Sequence, residues 1–463
     1  MVFPSFEFAL FFPVVLALSW ALMPHPRLWK PFVLAASYVF YAAASPRYCI
    51  LLAGLTLANQ AGAALIHRTE VERTRKWIVG LTVAVDLGTL GTFKYYGFFA
   101  DEISAFLDSL GLGMPLPLLT IALPIGLSFI TFQAISYVVD VKRRLLPPAA
   151  LIDFGLYLSF FPHVVAGPIV RAREFIPQLA KPRNPRDVAV GSGVVLIALG
   201  LIKKVALADY LARTVVDPVF GVPEHYSAPE VALAAYAYAA QIYCDFSGYT
   251  DIAIGVALLM GFVFPQNFNS PYRATSFRDF WRRWHMTLSR FLRDFLYVPL
   301  GGNRGGRLKT FRNLMITMLL GGLWHGAAWG FVLWGGLHGA CLAIERLLRG
   351  RLNPPVWLRW AIVFHVVVFG WILFRSRHLD LAETMLSRLF HPGPATLWSP
   401  LTLAIVIGVI AFQLLPPDPL ERLRLRMVQL PDYALGFGLA AVVAVVGATV
   451  PSQGVPPFIY FQF

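Results

Sequence analysis

Residues 276–304 read S-F-R-D-F-W-R-R-W-H-M-T-L-S-R-F-L-R-D-F-L-Y-V-P-L-G-G-N-R, and residues 321–339 read G-G-L-W-H-G-A-A-W-G-F-V-L-W-G-G-L-H-G. The first run is basic and amphipathic. Phe277, Phe280, Trp281, Trp284, Leu288, Phe291, Leu292, Phe295 and Leu296 share one face at roughly 100° of rotation per residue. Arg278, Asp279, Arg282, Arg283, Arg290 and Arg293 occupy the other. Ser276 with Asp279 three residues on reads as a helix start, and Pro299 with Gly301 as its end. A helix of this kind lies in the membrane plane on the basic side. The second run is apolar and punctuated by glycine. His285 and His325, 40 residues apart, are therefore expected at a membrane surface and at membrane depth respectively. His285 falls about 80° from Phe277, at the edge between the two faces.

The rest of the chain supplies the membrane. Of 463 residues, 57% are hydrophobic and only 14% charged, and the mean hydropathy is +0.63. A soluble domain carries about 25% charge. Apolar runs of about 17–25 residues, the length that spans a bilayer core, recur from end to end. The expected fold class is thus an all-α integral membrane protein. We read 1–463 as one polytopic membrane domain, with about eleven to thirteen transmembrane or re-entrant helices. The net charge of +14 sits in short loops between apolar runs, as positive-inside topology places it, and argues against nucleic-acid binding. Cys49, Cys244 and Cys341 form no ligand-spaced set, so neither a disulfide framework nor a metal site is expected. The N-terminus lacks the basic start of a signal peptide and reads as a retained first span.

Candidate spans are 6–23, 31–44, 48–66, 77–99, 118–139, 152–170, 188–207, 231–264, 314–347, 357–374, 397–415 and 433–450. Arg27 and Lys30, then Arg68, Arg73, Arg75 and Lys76, then Lys142, Arg143 and Arg144 follow alternate spans and belong on one side. The loop with Asp101, Glu102 and Asp108 belongs on the other. Basic residues flank 152–170 at both ends, and F-F-P-H-V-V-A-G-P-I-V within it has the composition of a broken, re-entrant segment. Its His163 reads as a cavity residue or, equally, as a structural hydrogen-bonding one. Two runs are too long for one crossing. We expect 231–264 to break near Ser247-Gly248 and 314–347 near Gly335-Gly336. The count leaves the C-terminus outside.

His325 lies beside Gly322, Gly326 and Gly330, a small-residue face for close helix contact. An ionisable group at membrane depth is costly and marks a function or a partner; neutral imidazole suits a general base for a hydroxyl. His338 and His365 also lie in apolar sequence and read as packing residues. Asp245 and Asp251 differ by about 240° on a helix and are not a facing pair; one of them would orient an imidazole or join helices. Arg304, Arg307, Lys309 and Arg312 form a glycine-rich basic loop, suited to a phosphate-bearing donor and equally to topology. The motifs G-x-S-x-G, H-E-x-x-H and G-x-G-x-x-G are absent.

F-F-P-H-V-V-A-G-P-I-V-R, Y-C-D-F-S-G-Y-T-D-I-A-I-G, F-N-S-P-Y-R, the His285 run, G-G-L-W-H-G-A-A-W-G and G-W-I-L-F-R together resemble the membrane-bound O-acyltransferase family, with the motifs concentrated in 160–375. The resemblance implies a ring of tilted helices around a central funnel. His325 matches the family's near-universal histidine and His285 its second polar position; Asp245 is a possible support. His163 stands where relatives often carry another polar residue. The activity implied is acetyl transfer, with acetyl-CoA as co-substrate and no tightly bound cofactor, from the cytosol to an extracytoplasmic polysaccharide. It would proceed through a periplasmic acetyltransferase partner, among polysaccharide-synthesis proteins and membrane lipids, in the bacterial inner membrane with the C-terminus periplasmic. The alternatives are D-alanyl transfer from an acyl carrier protein to teichoic acid and, from another class, a transporter or channel.

Overall fold

The structure, a computed structural model, describes residues 1, 3–113, 123–181, 184–376, 378–415 and 419–449. Among them no β-strand forms. Five helices are long and apolar enough to cross a bilayer: Pro46–Arg68, Val190–Gly221, Ala228–Leu259, Trp329–Leu348 and Val356–Arg375. Phe6–Leu22, Pro400–Leu414 and Tyr433–Ala448 are apolar but shorter. The expected placement of the C-terminus concerns residues 450–463, and the expected span 118–139 begins at 118–122; both lie outside the described residues.

Packing gathers the helices into two compact units, one of Met1–Ala189 with Val256–Phe264, the other of Val190–Gly255 with the residues from Pro265 onward. In the first, Ser5 caps Phe6–Leu22 by accepting the Phe8 amide, and prolines open Pro26–Ala42 and Pro46–Arg68 where their missing N–H costs nothing. Leu127–Lys142 is buried on almost every face. It begins at Gly126, in the left-handed region at φ +77, where a Cβ would stand 1.9 Å from the Val164 carbonyl oxygen. The segment expected to be broken is broken. Helix Leu151–Ser159 stops, a single turn Phe161–Val164 follows, and the chain bends at Gly167 before Ala172–Leu179.

Ala228–Leu259, which belongs to the second unit as far as Gly255, is one uninterrupted helix of 32 residues, about 48 Å long. This corrects the break expected at Ser247-Gly248. Gly248 is small for a different reason: a Cβ there would lie 2.8 Å from the Gly200 carbonyl oxygen, and one on Gly200 would lie 2.6 Å from that of Gly248. Two turns along, Gly255 stands in the same relation to Gly193 at 2.7 Å. Two helices meet backbone to backbone through these glycines. The pair Arg307–His325 and Trp329–Leu348 is the expected hairpin, but it turns at Gly326-Ala327-Ala328. Gly335, expected at the turn, is mid-helix, where a Cβ would meet the Met318 carbonyl oxygen at 2.3 Å.

Candidate functional site

Ser276 opens the basic helix as its sequence implies, its hydroxyl accepting the Asp279 amide at 3.0 Å. Glu345, from the Trp329–Leu348 helix, accepts the Phe277 and Arg278 amides at 2.6 and 3.3 Å. The helix does not run on to Pro299. It ends at Arg283, and a second begins at Met286. Between them His285 takes the left-handed conformation, φ 40 and ψ 56, uncommon for a residue with a side chain.

Asn267 accounts for the break. Its backbone carbonyl accepts the Met286 amide at 2.9 Å, and its Oδ1 accepts the Thr287 amide at 3.1 Å and the Thr287 hydroxyl at 2.8 Å. These are first-turn donors that a helix cannot satisfy internally. The rotation is thereby reset at His285, which is not at the edge of a continuous amphipathic face. It is fully enclosed, 0% exposed, with Nδ1 3.2 Å from the same Asn267 oxygen and the Phe246 ring edge-on at 4.7 Å.

His325 is the last residue of its helix and 4% exposed. Aromatic rings enclose it: Trp324 at 5.0 Å, Trp334 and Phe374 at 5.2 Å, and Phe331 at 6.4 Å between centroids. Gly326 is bare because Phe331 lies on it; a Cβ would be 2.1 Å from that ring. Gly322, by contrast, faces the Phe331 carbonyl and Gly330 the Leu373 carbonyl, so the three glycines serve three separate contacts. Trp324 also lies 6.1 Å from His285. Both imidazoles thus border one indole. Neutral imidazole carries one donor and one acceptor nitrogen, so the pair can take a proton and orient a polar group in surroundings that exclude water.

The remaining candidates lie elsewhere. Asp245 pairs with Lys204 at 2.6 Å, and Lys204 also with Asp209 at 2.7 Å, a buried ion group joining helices. Asp251 pairs with Lys203 at 2.7 Å. His163, in the first unit, is 0% exposed with Nε2 2.7 Å from the Tyr157 carbonyl, which the break after Ser159 leaves without its helical amide. That amide, on Phe161, donates to Ser37 instead. Arg304, Arg307, Lys309 and Arg312 are exposed, on and just after a loop whose Gly301, Gly302, Gly305 and Gly306 all have positive φ. Arg312 is tied to Asn313 Oδ1 at 3.1 Å. The loop opens the helix that His325 closes, about 27 Å away along its axis. His338 is a packing residue, its Nδ1 3.3 Å from Trp281 Nε1. His365 lies on its helix surface with Nδ1 2.7 Å from the Ala361 carbonyl. Asn267 escaped the sequence reading; its one signal is the polar stretch Gln266-Asn267-Phe268-Asn269-Ser270 that follows an apolar run.

Residues 116–375 match the membrane-bound O-acyltransferase family. The chain is 43% identical to the probable alginate O-acetylase of Pseudomonas aeruginosa over 402 residues, 85% of this chain and 75% of that one. It is 44% identical to the probable alginate O-acetylase of Azotobacter vinelandii, covering 86% and 79%. It is 36% identical to the peptidoglycan O-acetyltransferase of Helicobacter pylori, covering 78% and 73%. The chain belongs to the membrane-bound O-acyltransferase family and is a multi-pass integral membrane acyltransferase.

Proposed function

We propose that this family member carries an acetyl group from a cytosolic thioester, acetyl-CoA, across the bacterial inner membrane for O-acetylation of an extracytoplasmic polysaccharide. The final transfer would run through a periplasmic acetyltransferase partner. The observation that supports the reading is that buried His285 and His325 both border the Trp324 ring, at 6.1 and 5.0 Å, in a chain 43–44% identical to alginate O-acetylases.

In this reading His325 takes the proton of the incoming hydroxyl. The oxygen bonds to the acetyl carbon, the carbon–sulfur bond breaks, and the leaving thiolate takes that proton back from His325 and departs as the thiol. His285 orients the reacting groups. The enclosing rings keep water from competing for the acetyl group. Arg304, Arg307, Lys309 and Arg312 would hold the donor's phosphates. The three on the helix lie about 20–27 Å from His325 along its axis, a distance that calls for a donor that reaches in extended form. Asp245 and His163 are given no step, because a salt bridge and a helix-end hydrogen bond account for them.

The test is His325→Ala in purified, membrane-inserted protein. Turnover of acetyl-CoA with the acceptor system should fall by about 10²–10⁴-fold, the usual cost of a lost catalytic base. Wild-type turnover would overturn the assignment. An exposed basic loop also suits an acidic carrier protein, as in D-alanyl transfer. Binding of acetyl-CoA but not of a charged carrier supports acetyl transfer, and the reverse supports the D-alanyl reading.

A further inference from the structure

The hydrogen bonds around Asn267 decide more than a helix start. A backbone N–H can only donate, so the Asn267 atom 3.1 Å from the Thr287 amide must be the carbonyl oxygen, not the NH2 group. The same oxygen lies 3.2 Å from His285 Nδ1. It has no proton to give, so in the neutral ring Nδ1 must hold the proton and Nε2 the lone pair. Nε2 is buried and has no hydrogen-bond partner among the described residues. The left-handed backbone at His285 and the amide of Met286 on the Asn267 carbonyl hold the ring and the oxygen in one rigid loop.

We infer that Asn267 is a positioning residue for acyl transfer: its side-chain oxygen fixes His285 as the Nδ1–H tautomer and so presents Nε2 to the reacting groups as a hydrogen-bond acceptor. The inference rests on the proposed participation of His285 and deepens it. His285 takes a hydrogen bond, or a proton, at Nε2; it does not donate one there. Without the Asn267 oxygen, both tautomers are populated and part of the enzyme presents an N–H where an acceptor is needed.

Three variants of the full-length, membrane-inserted protein, assayed with acetyl-CoA across a pH series, test this. Asn267→Leu, which removes the acceptor at similar shape, should lower kcat by about 3–10-fold, the share of rings left in the other tautomer, with KM for acetyl-CoA unchanged. Asn267→Asp keeps the acceptor and adds a charge that favours the imidazolium. It should therefore retain activity above neutral pH but move the acid limb of the pH–rate profile upward by about 1–3 units. A residue that merely supported the fold would produce no such shift. Asn267→Leu with wild-type kcat, or Asn267→Asp with the wild-type profile, overturns the inference. If Asn267→Leu does not insert, the Asn267→Asp profile decides alone. His285→Ala is measured beside them. If it is inactive while the Asn267 variants behave as wild type, only the tautomer assignment fails; if it turns over normally, the role of His285 fails as well.

Discussion

His285 and His325 were both legible as residues, because an ionisable ring in an apolar run stands out by composition alone. What surrounds them was not. A histidine in the left-handed region has no sequence signature, so periodicity ran straight through Trp284-His285 and set the ring on a surface. Asn267, 18 positions upstream, bonds the start of the next helix, and the Asn269 amide donates to the Arg283 carbonyl at the end of the first. Gly326 is a similar case. It was read as part of a helix–helix face, yet its hydrogen is needed because the Phe331 ring that borders His325 rests on it. Gly326→Ala puts a Cβ 2.1 Å from that ring, so Phe331 must move and the enclosure of His325 with it. We expect acetyl turnover to drop by about 10-fold or more while the protein still inserts, since misplacing a reacting group by an ångström can cost about 10²-fold. Unchanged turnover in Gly326→Ala would show that the enclosure is not set by this contact.

Helices were recovered from hydropathy, and their interruptions only in part. The break in 152–170 was legible because prolines and a glycine cluster there with polar punctuation on both sides. Length called for breaks in 231–264 and 314–347, but their placement at Ser247-Gly248 and Gly335-Gly336 rested on glycine, and glycine has two uses that sequence does not separate. It permits unusual φ, and it lets backbones approach. Gly200, Gly248, Gly255 and Gly335 have the second use, since a Cβ on each would lie within 3 Å of a carbonyl oxygen of a neighbouring helix. Substitution therefore fails by overpacking, with no flexibility gained or lost. Gly248→Ala should lower stability by about 1–3 kcal/mol, read as a lower midpoint of thermal unfolding in detergent. Gly54→Ala, where a Cβ meets nothing within 4 Å, is the comparison and should leave the midpoint in place. A Gly248→Ala midpoint equal to that of Gly54→Ala would refute the close-contact account.

For the molecule as a whole, composition gave the membrane class, and loop charge gave a sidedness that packing in the first unit supports. Three basic loops were expected on one side. In the structure Lys142 sits 3.0 Å from Glu72, Arg75 donates to the Lys142 carbonyl at 2.7 Å, and Lys30 pairs with Asp153 at 2.6 Å. The loop after Pro46–Arg68 and the loop after Leu127–Lys142 therefore meet at one end of their helices, while Glu72–Ser109 carries Asp101 and Glu102 about 40 Å further along. Length was the part sequence understated: Glu72–Ser109 has 38 residues where 77–99 was expected, because its polar ends continue the helix beyond the apolar core. Positive-inside placement then assigns the Lys76 and Arg143 end to the cytosol. With Cys49, Cys244 and Cys341 replaced by serine, Lys76→Cys and Arg143→Cys should react with a membrane-impermeant thiol reagent only in inside-out vesicles. Glu102→Cys should react only in right-side-out ones. Lys76→Cys and Arg143→Cys reacting from opposite sides would contradict the Glu72–Lys142 contact itself. Both reacting only from outside would keep the packing and reverse the orientation.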